Sequence, residues 1–171
     1  MVLYKVLCII GFCILYNNFV SSDQNETVVV TSTSNIKHIE VPTSDHPVLV
    51  WMEVRKGIFP NVTNDLVSVT NVTVGDPISL FVFYKDNSNL YDIKVTDCWA
   101  YDDENFPLSK QKLHLSGDSS NGTNKELSTW KKFRSRKFTS FLYASFVSFK
   151  FPEKDKLFLT CDIQLVGREQ S

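Results

Sequence analysis

The sequence predicts an all-β fold in which short strands form a β-sandwich. Three observations predict it. Thirteen Phe and six Tyr stand against only two Ala, a balance that favours strands over helices. Roughly seven short segments, alternating or densely aromatic, are separated by turn residues. Finally, Tyr91–Tyr101 (YDIKVTDCWAY) places Ile93 and Val95 at the two-residue period of a half-buried strand and then reaches Cys98 and Trp99. A cysteine beside a tryptophan at a strand end suggests a disulfide packed under a large ring. The candidate partner is Cys161, in the strand-like run 157–166 (LFLTCDIQLV).

At 171 residues the chain suits one domain with a core of its own. A formal net charge of −1 sets up no global field toward nucleic acid or anionic lipid, and neither is expected as a partner.

Residues 1–22 read as a secretory signal peptide. Lys5 supplies the positive start, 6–16 is the apolar stretch, and Val20 and Ser22 take the −3 and −1 positions of a cleavage after Ser22. The rival reading, an uncleaved anchor, needs an apolar run of about 18 residues, longer than this one. The mature protein is therefore expected to be secreted, with no membrane anchor. Cleavage removes Cys8 and Cys13 and leaves Cys98 and Cys161. Two cysteines in an oxidising compartment favour one bridge over two buried thiols. Four acceptor sequons, at Asn25, Asn61, Asn71 and Asn121, fit the same compartment and are expected to carry N-glycans.

Along the mature chain, 23–47 reads as a polar arm with an optional strand at 27–33 (TVVVTST). His38 and His46 lie there, too far from His114 for a metal site to follow from spacing. Residues 48–55 (VLVWMEVR) are the first firm strand, ended by Lys56-Gly57. Residues 61–74 alternate weakly up to the turn signal Gly75-Asp76-Pro77. Residues 78–84 (ISLFVFY) read as a central strand, 102–107 as an acidic loop, 112–115 (KLHL) as a short strand and 116–128 as the longest loop. A basic cluster at 131–137 (KKFRSRK) precedes the aromatic run 141–151 (FLYASFVSFKF), and 157–166 closes the domain before a tail at 167–171.

Four motifs in order carry a family resemblance: 74–80 (VGDPISL), 91–100 (YDIKVTDCWA), 146–152 (FVSFKFP) and 159–165 (LTCDIQL). Together they make 48–166 resemble the C-terminal (ZP-C) half of a zona pellucida domain. The resemblance implies an immunoglobulin-like sandwich in which the cysteine matching Cys98 pairs with the one matching Cys161. Three departures stand out. Gly117-Asp118 replaces a Gly-Cys pair and Val166 replaces another cysteine; in one class of these modules those two cysteines bond to each other, so losing both leaves no orphan thiol. A ZP-N half, the part associated with polymerisation, is not recognisable. The propeptide that serves as a last strand in family precursors is not seen after Val166. The expected sandwich therefore has an unfilled edge, a template for strand pairing by a partner, or by 27–33 in cis.

No catalytic pattern competes with this reading. Asp102-Asp103-Glu104 is expected to be a solvated turn, since consecutive acids do not converge by spacing. No G-x-S-x-G elbow or phosphate loop occurs, so neither enzyme activity nor a cofactor or metal is expected. Lys131, Lys132, Arg134, Arg136 and Lys137 form a candidate basic binding patch for acidic glycans or an acidic protein face, set against the simpler reading of a solvated loop. The aromatics Phe138, Phe141, Tyr143, Phe146, Phe149 and Phe151 are expected in the core, with Tyr143 partly wet. The function expected is that of a structural or interaction component of an extracellular coat or matrix, with ZP-domain proteins among its partners. The alternative is a soluble ligand- or receptor-binding module that enters no matrix.

Overall fold

A computed structural model describes residues 5–9, 12–16, 26–32, 37–39, 47–62, 69–117, 126–134 and 139–168. Strands β1 (Lys5–Ile9) and β2 (Phe12–Tyr16) form a separate antiparallel hairpin in which Cys8 and Cys13 are opposed. The remaining strands are β3 (Thr27–Ser32), β4 (Lys37–Ile39), β5 (Val48–Ile58), β6 (Asn61–Val62), β7 (Val69–Thr73), β8 (Pro77–Lys85), β9 (Tyr91–Tyr101), β10 (Lys112–Gly117), β11 (Lys131–Phe133), β12 (Ser140–Val147) and β13 (Lys156–Gly167). They form a five-stranded sheet, β10-β9-β13-β3-β7, facing a second sheet, β11-β12-β8-β5-β4, with β6 paired to β5. The fold is an all-β immunoglobulin-like sandwich.

Alternation produces the core. In β5, Val48, Val50, Met52 and Val54 turn inward, while Trp51, Glu53 and Arg55 turn outward. Ile78, Leu80, Val82 and Tyr84 of β8 and Leu142, Ala144 and Phe146 of β12 complete that sheet's inner face. They meet Val28 and Val30 of β3 and Leu157 and Leu159 of β13, all fully buried.

Strand β9 needs one extra residue. Asp97 pairs with Asp162, but Val95 pairs with Ile163, so Thr96 is a bulge. Ile93 and Val95 face inward before it, and Cys98 and Ala100 face inward after it. Without the bulge a two-residue period would turn one of these pairs to solvent.

The arm contributes two strands. β3 runs parallel to the start of β13 and antiparallel to β7. The chain then crosses to the other sheet, where β4 pairs with β5. Ser32 links the layers, its hydroxyl donating to the Met52 carbonyl across the sandwich.

Several expected boundaries move. β5 continues to Ile58 and folds back through β6, and the aromatic run leaves the sheet after Val147. Gly57 adopts φ 96°, and a Cβ there would lie 2.4 Å from the Asn61 carbonyl oxygen, which explains its residue type. The start of the basic cluster is not loop: β11 pairs with β12 as an edge strand.

Candidate interaction surfaces

Cys98 and Cys161 oppose each other across β9 and β13 and form a disulfide, with Cα atoms 4.1 Å apart. The expected tryptophan lid is corrected. Trp99 follows Cys98 directly, so the pleat turns its ring to the opposite, outer face. There it packs on His114, ring centres 4.5 Å apart, with Lys112 Nζ 5.3 Å from its centre. His114 Nε2 lies 2.7 Å from Asp97 Oδ1.

β13 offers an incomplete edge. β3 pairs with Lys156 to Leu159 only, and beyond that point no described strand pairs with β13 on the side away from β9. Ile163 and Leu165 turn toward the core from this half, while Asp162, Gln164 and Val166 are exposed. β3, the described part of the optional strand, thus lies on the edge expected to be open, along the first part of it.

The basic cluster is drawn partly inward. Asp92, buried at the start of β9, accepts the Tyr84 hydroxyl and the Ile93 N–H on Oδ1. Its Oδ2 receives Lys132 Nζ, and Arg134 Nη2 at 2.6 Å. Burial pushes the Asp92 carboxyl up, but Lys132, Tyr84 and Arg134 outweigh it and hold it below the usual carboxylate range. Burial and the Asp92 charge raise the Tyr84 hydroxyl. Lys131 remains exposed, whereas Arg136 and Lys137 lie outside the described residues. Lys132 in β11 and Arg134 just after it therefore tie this edge to β9.

The acidic loop departs from the solvated turn expected of it at Asp102 alone; Glu104 is exposed and Asp103 half-buried. Asp102 is buried, and its Oδ1 accepts Ser109 Oγ at 2.5 Å, the Lys110 N–H at 3.0 Å and the Gln111 N–H at 3.2 Å. The Ser109 bond, chiefly, lowers its pKa to about 2. Asp102 is a turn organiser. Among the described residues no cluster of three or more His, Cys, Asp or Glu is placed to hold a metal ion.

Aromatic packing also needs correction. Phe146 and Phe151 are core residues and Phe149 packs against them, but Phe141 and Tyr143 lie on the outward face of β12. They join Phe83 of β8 and Trp51 of β5 in a continuous aromatic layer over the buried Phe81, with Trp51 stacked on Phe83 at 5.3 Å. Arg55, paired with Glu53 at 2.7 Å, lies 5.1 Å from the Phe81 ring centre. Phe133 of β11 extends the face and is 49% exposed. Phe138 lies outside the described residues. Sequence alternation alone misses this face because β8 is apolar at both parities.

Asn61 in β6 and Asn71 in β7 are exposed; Asn25 and Asn121 lie outside the described residues.

Among curated proteins none matches the chain. A family model described as the ZP-C domain of zona pellucida matches residues 59–171. That span covers β6 through β13, including the disulfide and the partly open β13 edge. The chain belongs to the zona pellucida family, as a ZP-C domain.

Proposed function

We propose that the protein is a secreted glycoprotein of an extracellular coat or matrix, released by cleavage after Ser22. It binds protein partners, ZP-domain proteins among them, by strand addition and loop contacts. The family is one of structural components of such assemblies, not of enzymes. The observation that carries the reading is the β13 edge, unpaired beyond Leu159 among the described residues. Such an edge presents free backbone donors and acceptors in register for an added strand.

The test mixes the purified mature chain with a full ZP-domain protein and follows it by light scattering and electron microscopy. Entry into filaments or a defined complex is expected. Replacing the exposed Gln164 and Val166 by Lys should abolish it, since edge lysines oppose strand addition. A monomer inert to such partners would sink the reading in favour of the soluble ligand- or receptor-binding module. The basic residues offer a second contact, through Lys131 and the exposed Arg134, to acidic glycans or an acidic protein face. Heparin binding that survives neutralising Lys131, Lys132, Arg134, Arg136 and Lys137 would remove that contact.

A further inference from the structure

We infer that an N-glycan on Asn61 folds back over Phe59 and covers the aromatic outer face of the β8-containing sheet. The inference rests on the secreted reading. It starts from an anomaly: Trp51, Phe83, Phe141 and Tyr143 lie only partly buried side by side on one sheet face, and Phe133, stacked on Phe141, is exposed. A contiguous apolar patch on a secreted protein calls for a partner.

Phe59 lies over this patch. Its N–H donates to Ser79 Oγ at 3.1 Å, and that hydroxyl donates to the Gly57 carbonyl at 2.8 Å. The ring is thereby held against Tyr143 at 4.7 Å, Phe141 at 5.6 Å and Phe81 at 5.7 Å. Ile58 and Asn61 then pair across the tight turn Phe59-Pro60, which leaves Asn61 exposed two residues from the ring. The sequence Phe59-Pro60-Asn61-Val62-Thr63 thus joins a fixed aromatic ring to a glycan acceptor.

Attachment joins the Asn61 amide nitrogen to C1 of the first sugar. The donor is a lipid-linked oligosaccharide whose pyrophosphate leaves as the amide loses a proton. The axial C–H face of that sugar is apolar and matches the electron-rich face of a ring, in the manner of other aromatic contacts. Tethering at the margin of the patch makes the encounter intramolecular, which favours the glycan over any free occupant. The occupant is the chain's own glycan.

The experiment is a double-mutant cycle on protein secreted from a eukaryotic host, combining Asn61→Gln with Phe59→Leu. Leucine keeps an apolar residue there and removes the ring. Peptide mass spectrometry should find Asn61 occupied. Asn61→Gln should raise the unfolding equilibrium constant about fivefold when Phe59 is intact and less than twofold in the Phe59→Leu background, as expected for one ring contact. Trimming the glycan to its first sugar should leave the stabilisation intact, while full removal should increase binding of an apolar dye. An unmodified Asn61 alongside an occupied Asn71 would overturn the inference alone. Equal losses in both backgrounds, or self-association through this face with the glycan present, would do so as well. Secreted protein bearing no glycan at any sequon would overturn it together with the glycoprotein reading.

Discussion

Replacing Val30 by Ala tests whether β3 belongs to the sandwich. Val30 is fully buried, paired with Leu157 of β13 on one side and Thr70 of β7 on the other. The change removes two methyl groups, about 1.6 kcal/mol at ~0.8 kcal/mol per buried carbon. A residual cavity of roughly 30 Å³ adds about 0.7 kcal/mol. The expected loss is therefore about 2.3 kcal/mol. With an m-value of about 2 kcal/mol/M, the urea midpoint should fall by about 1 M. Val29→Ala, at a half-buried position of the same strand, is the control and should cost less than about 1 kcal/mol. The assay is urea unfolding of the mature chain followed by tryptophan fluorescence. A Val30→Ala midpoint within error of wild type would refute the reasoning. It would mean that β3 is detached in solution and that β13 is open along its whole edge.

Three further outcomes follow from the geometry. Gly57→Ala should destabilise by about 2 kcal/mol or more, because it combines a positive φ with a Cβ meeting the Asn61 carbonyl; a stability within about 0.5 kcal/mol of wild type would contradict the turn. Replacing Cys98 and Cys161 together by Ala should cost about 4 kcal/mol in the chain-entropy model, read as an earlier denaturant midpoint, and an unchanged midpoint would oppose it. Asp102, with its pKa lowered to about 2 from an unfolded value near 4, contributes stability that is present above about pH 4. That contribution is lost as the pH falls through about 4 toward about 2, so Asp102→Asn should flatten this part of the acid limb; an NMR titration midpoint of Asp102 near 4 would contradict the assignment.

The sandwich is legible in the sequence because its determinants are local. Alternation in 48–55 and the apolar run 78–84 each carry a signal within one segment, and the pair Cys98 and Cys161 follows from cysteine count once the leader is set aside. What escapes depends on contacts between distant segments. The short β4 and β11 exist through pairing with β5 and β12, and their own residues carry too little pattern to announce a strand. The burial of Asp102 depends on Ser109 and the backbone of Lys110 and Gln111 closing a turn around it, which a row of acids does not reveal. Aromatic content assigns Phe141 to the core because it carries no parity, whereas the register with Phe83 puts it outside. For the surfaces, the basic residues are visible in sequence but not their division. Lys132 and Arg134 are anchored by Asp92, some forty residues earlier in the chain, and no spacing rule links them.

The bulge at Thr96 gives β9 a dependence on length rather than on composition. Deleting that one residue would leave every other side chain of the strand in the sequence, yet Cys98 would fall out of phase with Ile93 and Val95. Either the apolar pair would leave the core or the sulfur would face away from Cys161. Substitutions at Thr96 should therefore be mild, while a deletion there should uncouple disulfide formation from folding. The strand counts residues at this point more strictly than it chooses among them.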